Sequence, residues 1–153
     1  MMQTACNIPY EKAEVWLWSY TEWKAQLEYA QAELAHIPGL TKALHVVAIH
    51  GSGSKNEALL RTVIHRLEIT EHEIPLLLSR IGLIDFAFSA LTPEERKFVH
   101  LRYMDKLALS AAMERLGLSR RAFFYHRKRI LLKMYGKIRS REALLDYDPF
   151  EEN

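Results

Sequence analysis

The chain carries, from Leu91 to Gly136, the sequence LTPEERKFVHLRYMDKLALSAAMERLGLSRRAFFYHRKRILLKMYG. At its start Thr92 suits a helix N-cap, Pro93 suits the first helical position, and Glu95 can complete a capping box by returning to the cap. We expect the helix that begins here to run to about Tyr103. A turn at Asp105 and Lys106 would then end it.

A second and a third helix follow with helix-turn-helix spacing. The second is predicted from about residue 109 to residue 116, and it stops at Gly117, which can take the positive φ of a tight turn between helices. Ser119 is placed to cap the third, which we expect from Arg120 to about Tyr135. The sequence therefore predicts a three-helix DNA-reading module.

The third helix has an apolar face and a basic, aromatic face. Phe123, Ile130 and Met134 recur at helical spacing and are predicted to point inward, whereas the first turns present cations and aromatic rings. Because the first turns of such a helix enter the major groove, where arginine can bind guanine bidentately, we predict base contacts. The predicted base-contacting residues are Arg120, Arg121 and Tyr125. Phe124 could touch a thymine methyl group or pack against the preceding helices.

The remaining polar residues of this helix are predicted to contact phosphates, which fix register and give affinity without reading sequence. These predicted phosphate contacts are Ser119, Arg127, Lys128, Arg129 and Lys133. Charge supports this interpretation: residues 91–141 hold 14 Lys and Arg against four acidic residues, a net +10, while residues 1–90 carry −3 and the last twelve residues −5. A local excess of this size is typical of a phosphate-backbone binder, although a solvated basic face would show it as well.

Two apolar seams precede this module. The first runs Trp16, Tyr20, Trp23, Leu27, Ala30, Leu34 in alternating steps of four and three, which predicts one helix from about Pro9 to His36. Residues 37–54 contain Pro38, Gly39 and a Gly/Ser run, a composition typical of a connector.

The second seam runs Leu60, Val63, Leu67, Thr70, Ile74, Leu77, Ile81, Ile84, Phe88, Leu91. Its unbroken register favours one long helix, but Pro75 lacks a backbone donor, so we expect a kink there. Two seams joined by a connector suggest an antiparallel helical hairpin, whose surplus apolar surface could also pair two chains in a homodimer.

These patterns predict an all-α protein with a long helical hairpin followed by a C-terminal three-helix helix-turn-helix module. The expected domains are a hairpin and dimerisation region over 1–90, a DNA-binding domain over 91–141 and an acidic tail over 142–153. We expect the tail to be disordered, although it could also compete with DNA for the basic helix or contact a partner.

The segments Leu91-Thr-Pro-Glu-Glu-Arg96, Leu101-Arg-Tyr103 and Leu116-Gly-Leu-Ser-Arg120 resemble region 4 of bacterial sigma factors, over about a third of the chain. The whole layout resembles the ArpU/RinA-type bacteriophage regulators, which act in late or autolysin gene transcription. The resemblance implies base contacts at Arg120, Arg121 and Tyr125, and phosphate contacts at Arg102 and Arg129.

The chain departs from the motif at two positions of the second helix. Ala108 stands where a Ser or Thr cap is usual, and Met113 where a small residue allows close helix approach. The second helix is therefore expected to pack less tightly.

Other classes of protein find little support in the sequence. No His and Cys residues stand at zinc-ligand spacing, and a capping box explains Glu95 better than acid-base catalysis does, so we predict no metal, no cofactor and no enzyme. The single cysteine, Cys6, and the lack of an apolar run of about 20 residues lead us to expect a cytoplasmic protein away from membranes. The resemblance to phage regulators implies that the cell is a bacterial host.

The predicted function is sequence-specific DNA binding by a transcriptional regulator of phage or prophage genes, with host RNA polymerase as a further partner. A small-terminase-like DNA-packaging protein is an alternative, since it too combines a helix-turn-helix with an oligomerising helical region. A sigma-like factor is another, but neither N-terminal helix resembles the promoter-melting region that it would need.

Overall fold

The computed structural model describes residues 8–37 and 53–146. Apart from short turns these residues are helical, and they contain no strand, so the predicted all-α class is confirmed. The helices are α1 (Pro9–His36), α2 (Gly53–Glu68), α3 (Ile74–Phe88), α4 (Pro93–Val99), α5 (Leu109–Leu116), α6 (Arg120–Ile138) and α7 (Glu142–Asp146). The connector predicted over 37–54 lies almost wholly outside the described residues.

Helix α1 has the predicted bounds, and much of its predicted seam is buried. Trp16, Tyr20, Trp23 and Ala30 are 7% exposed or less, while the two remaining seam leucines are half-buried. Leu17, which lies off the seam, is fully buried as well. The first half of α1 therefore buries residues on more than one face of the helix. A seam that marks one apolar stripe does not predict this.

The second seam is interrupted by a wide helical turn. Residues Ile69–Glu73 form a π turn between α2 and α3, in which the N–H of Ile74 donates to the carbonyl of Ile69, and Pro75 follows directly. A π turn contains one extra residue and so rotates the following helix face by about 100°. Consequently the predicted unbroken register is wrong: Leu60 and Leu67, before the turn, are 59% and 47% exposed.

The described chain forms two compact units. One contains the chain up to Trp23 together with the chain from Ser79 onward, and the other contains Lys24–Leu78. This division does not coincide with the domain boundary predicted at residue 90. The difference arises because the first half of α1 and most of α3 pack with the C-terminal helices.

The larger unit has an aromatic core in which the first half of α1 covers the C-terminal helices. The Phe98 and Phe123 rings join α4 to α6 with centroids 4.7 Å apart. Trp18 of α1 meets Tyr103 edge-on at 4.9 Å. Tyr20 donates its hydroxyl hydrogen to Asp85 Oδ1 at 2.5 Å, which ties α1 to α3. Three helices of the predicted reader module are thus backed by a fourth.

Helix α4 begins as predicted, because its capping box is complete. Thr92 Oγ1 accepts from the Glu95 N–H at 3.3 Å, and the Glu95 carboxylate accepts from the Thr92 N–H at 3.0 Å. The helical path continues through a second π turn, His100–Met104, in which Tyr103 is fully buried. The turn then passes through Lys106, whose φ of 53° is left-handed.

The start of the acidic tail is ordered, contrary to the disorder predicted for residues 142–153. Helix α7 buries Leu145, which is 4% exposed. Its first and last residues, Glu142 and Asp146, accept hydrogen bonds from side chains of α1. Lys12 Nζ donates to Glu142 Oε1 at 2.7 Å, and Trp16 Nε1 donates to Asp146 Oδ1 at 2.9 Å. These partners lie 130 residues away in sequence, which is why composition alone suggested disorder; residues 147–153 lie outside the described residues.

The smaller unit joins the end of α1 to α2. His65 Nε2 lies 2.7 Å from Glu33 Oε1, and the Arg66 guanidinium donates to the carbonyl of Ile37 at 3.3 Å. Its apolar centre includes Ala30, Ile69 and Leu77, each 4% exposed or less. The π turn therefore contributes to the core of this unit through its first residue.

Candidate nucleic-acid interface

The turn between α5 and α6 has the conformation that the helix-turn-helix interpretation requires. Gly117 ends α5 with φ 65° and ψ 32°, the left-handed conformation that glycine adopts without a Cβ penalty. The Leu118 N–H donates to the Met113 carbonyl at 3.0 Å, closing the end of α5. Ser119 then caps α6 by accepting from the Ala122 N–H at 3.2 Å. Local sequence thus fixes where α6 begins.

The buried face of α6 is wider than predicted. Phe123, Ile130 and Met134 are 2% exposed or less, as expected from their spacing. Leu131 and Ile138 are buried as well, which the spacing rule missed. They lie on the side of α6 that α1 covers, since Trp16 stacks on the neighbouring Tyr135 with ring centroids 6.0 Å apart.

The outer face of α6 is basic and aromatic, and it includes the three predicted base-contacting residues together with Phe124, the candidate thymine contact. Arg120, Arg121 and Tyr125 are exposed, Tyr125 by 64%. The structure leaves Phe124 39% exposed, with its ring edge-on to Phe123 and the Arg120 guanidinium 5.7 Å from its centroid. The first two turns of α6 therefore present two guanidinium groups and two aromatic rings side by side.

Further along the same face, two predicted phosphate contacts are also exposed. Arg129 makes no hydrogen bond or ion pair with any other described residue, and neither does Arg121. Lys128 Nζ lies 5.7 Å from the ring centroid of Tyr10 on α1. Together with the first two turns, these side chains form the basic face of α6, which comprises Arg120, Arg121, Phe124, Tyr125, Lys128 and Arg129.

Arg127 is the predicted phosphate contact that the structure places elsewhere. Its Nε and Nη2 donate to the two oxygens of the Glu14 carboxylate, each at 2.6 Å, and its side chain is only 19% exposed. The hydrogen bonds that Arg127 donates to Glu14 are the main cause that raises the pKa of Arg127. Because this pair neutralises the guanidinium and most of the side chain is buried, Arg127 does not offer the exposed, unpaired cation that a phosphate contact needs.

Glu14 also binds a second partner from the reader module. Its Oε2 accepts the Tyr103 hydroxyl hydrogen at 2.6 Å. Burial would raise the pKa of the Glu14 carboxyl, but the hydrogen bonds from Arg127 and Tyr103 outweigh it and lower the pKa below its usual value. Conversely, burial and then the adjacent carboxylate raise the pKa of Tyr103.

Three further predicted phosphate contacts are engaged in internal bonds as well. Arg102 donates to the Leu107 carbonyl at 2.7 Å and lies 5.1 Å from the Trp18 ring centroid. Lys133 Nζ donates to Glu95 Oε1 at 2.7 Å. Ser119 is the cap of α6. Among the predicted phosphate contacts, Lys128 and Arg129 thus retain the exposure and the unpaired cationic group that such contacts need.

Sequence reasoning missed Glu14 and Tyr10 as part of this region. Both lie on α1 off its predicted seam, and Glu14 lies 113 residues from Arg127. No local spacing signals such a pair, because charge pairs distant in sequence form only once the fold exists. The acidic residues of α1 are the sequence feature that is consistent with such a pair.

Comparisons with family models, with curated proteins and with solved structures find no match to this chain. Within residues 8–37 and 53–146, no cluster of His, Cys, Asp and Glu could hold a metal ion. In that same part of the chain, no helix is both long enough and apolar enough to cross a bilayer.

Proposed function

We propose that this protein binds double-stranded DNA with sequence specificity through the basic face of α6. The observation that carries the proposal is the juxtaposition of exposed Arg120, Arg121 and Tyr125 on the first two turns of a helix that follows a left-handed Gly117 turn. In this helix-turn-helix geometry the first turns enter the major groove, where arginine donors match guanine O6 and N7.

The electrostatics of the region support the same proposal. Residues 91–141 carry a net +10, and the acidic side chains of α4 and α1 neutralise cations on other sides of α6, at Lys133 and Arg127. In the middle of α6, the cations that have no acidic partner among the described residues are therefore Lys128 and Arg129, and both lie on the outer face. Phosphate binding there would release counterions and set the register for base reading.

We further propose the biological role that the resemblance implies: a regulator of late or autolysin genes of a phage or prophage, related to the ArpU/RinA-type proteins and acting in the bacterial cytoplasm. Host RNA polymerase is a candidate partner in that role. The support for it is the sequence resemblance of residues 91–120 and the overall helical layout.

A binding selection on fragmented genomic DNA from the source, at near-physiological salt, tests this function. We expect the wild-type protein to enrich fragments upstream of a late or lytic operon. The Arg120→Ala, Arg121→Ala double variant should lose the enrichment because base contacts carry specificity. Enrichment at a packaging start would instead favour the small-terminase-like alternative, and no enrichment by the wild type would contradict the proposal.

A further inference from the structure

A row of large apolar side chains is exposed on α2, within the unit Lys24–Leu78. Leu60, Ile64 and Leu67 are 59%, 46% and 47% exposed, and their spacing of four and three residues places them on one stripe of the helix. We call these three residues the α2 stripe. Leu59 and Val63 of the same helix are half-buried, whereas this second apolar row is exposed, which indicates a surface that is covered by a partner.

Other exposed apolar residues of the same unit do not extend the row. Leu78 is 52% exposed but lies beyond the π turn, and Tyr29 is 71% exposed on α1. Both are single residues, and single exposed apolar side chains are ordinary on protein surfaces. The α2 stripe is thus distinguished by its pattern rather than by exposure alone.

We propose that the α2 stripe binds the same stripe of a second copy of this chain, with the two helices antiparallel. A two-fold axis close to Ile64 would place Leu60 against the partner's Leu67 and Ile64 against the partner's Ile64. Such an arrangement is self-complementary and closed, because every contact is made twice and no further copy can be added at that surface.

Charge complementarity favours the antiparallel direction. Arg61 and Glu68 flank the stripe on the same side, seven residues apart, and both are exposed without a hydrogen bond or ion pair to another described residue. Antiparallel pairing about residues 64 and 65 sets Arg61 beside the partner's Glu68 and repeats this pair on the other side of the axis. Parallel pairing would place these two flanks on opposite sides of the interface, so that Arg61 and Glu68 would have no charged partner across it.

The size of the stripe limits the strength of the pairing. A 16-residue helix is about 24 Å long, and the stripe, from Leu60 to Leu67, covers about two turns of it. This contact is smaller than the roughly 800 Å² per partner of a typical stable interface. We therefore expect a dimer with a dissociation constant on the order of 10 µM.

Sedimentation equilibrium of the full chain, without DNA, tests the proposal at concentrations from about 1 to about 200 µM, which bracket that value. The wild type should pass from the mass of one chain to that of two. Ile64→Glu should keep the mass of one chain throughout, because it sets two carboxylates against each other at the axis. Leu78→Glu, which is matched in exposure and lies in the same unit, should dimerise like the wild type.

A charge-reversal cycle tests the direction of the pairing. Arg61→Glu and Glu68→Arg should each raise the dissociation constant by about 3- to 30-fold, since each variant turns two opposite-charge pairs into two like-charge pairs at an exposed rim. The variant with both reversals should return to within about twofold of the wild type. If the double variant dimerises no better than the single variants, the antiparallel pairing is wrong.

Three results would overturn the proposal. The wild type could keep the mass of one chain at every concentration, the dimer could survive Ile64→Glu, or the chains could assemble into a ring larger than a dimer. The inference stands apart from the proposed DNA binding. The Arg120→Ala, Arg121→Ala variant should dimerise normally, so a failure of DNA recognition and a failure of pairing give different results.

Discussion

At the scale of single residues, Glu14 is the side chain that joins α1 to α6 and to the π turn before α5. It receives both nitrogens of the Arg127 fork and the Tyr103 hydroxyl, each at 2.6 Å, while lying on a different helix from either. Planar bidentate pairs with an additional donor fix orientation as well as distance. Glu14 therefore holds α1 against the middle of α6 and against the segment before α5.

Replacing Glu14 by glutamine should lower the free energy of unfolding by about 2 to 3 kcal/mol at pH 7, because the half-buried Arg127 and the fully buried Tyr103 lose an ionised acceptor. Chemical denaturation measures the loss. Glu22→Gln, at an exposed position of the same helix, should change stability by less than about 0.5 kcal/mol. Equal effects of the two variants would show that the Glu14 network contributes nothing.

The same network predicts a pH dependence. The pKa of Glu14 is lowered in the folded state, so its contribution is present above the unfolded value near 4.5 and is lost as pH falls through the lowered folded value. The stability difference between wild type and Glu14→Gln should consequently narrow on acidification below about pH 4.5. A difference that is constant from pH 7 to pH 3 would contradict this assignment.

Salt dependence distinguishes cations that bind DNA from cations that bind the protein. Arg129→Ala should reduce the slope of log affinity against log salt by about 0.9, since one phosphate contact is lost. Arg127→Met, which keeps side-chain volume, should leave the slope unchanged because Glu14 already neutralises Arg127. If the slope falls equally in both variants, Arg127 contacts a DNA phosphate, as the sequence predicts, despite its pair with Glu14.

At the scale of helices, elements with local signals could be predicted from the sequence, and elements decided by distant contacts could not. The start of α4 was predictable from the capping residues Thr92, Pro93 and Glu95. The bounds of α1 were predictable from its apolar seam and from the Pro38-Gly39 pair that follows it. The π turn at Ile69–Glu73 escaped prediction because a seam shows spacing but not an inserted residue. The order of α7 escaped because its partners lie at the other end of the chain.

Helix α5 lacks a side-chain cap, which offers a test of local structure. Ala108 already has the extended conformation of an N-cap, φ −58° and ψ 154°, but no side-chain oxygen. Ala108→Ser should therefore raise the free energy of unfolding by about 1 kcal/mol. Ala111→Ser, inside the same helix, should lower it by a few tenths of a kcal/mol. Thermal unfolding of both variants checks the contrast, and equal shifts would contradict it.

At the scale of the whole molecule, helices α4 to α6 share one compact unit with the first half of α1 and with α7. Leu131 and Ile138 of α6 are buried on the side that α1 covers, and Leu145 of α7 is buried with them in the larger unit. An apolar face that is left without its cover exposes surface at a cost of about 25 cal/mol per Å². The segment 91–141, which sequence reasoning treated as a domain, is therefore part of a larger folding unit.

This organisation predicts that the start of the acidic tail stabilises the protein. Leu145→Ala should cost about 2 to 3 kcal/mol of unfolding free energy, since it removes a buried side chain of α7. Ala143→Ser, at an exposed position of the same helix, should change little. If Leu145→Ala unfolds like the wild type, α7 does not pack as described.

Equilibrium DNA binding by two matched double variants tests the central claim most directly. The first variant, Arg120→Ala, Arg121→Ala, removes two exposed cations from the start of α6. The second, Arg139→Ala, Arg141→Ala, removes two exposed cations just after its end. On the duplex chosen by genomic selection, we expect the first variant to lose about 100-fold or more in affinity, at about 1 to 3 kcal/mol per base contact, and most of its preference over unrelated DNA. The second should keep that preference. Equal losses in both variants, or no loss in the first, would contradict the assignment of α6 as the helix that reads DNA.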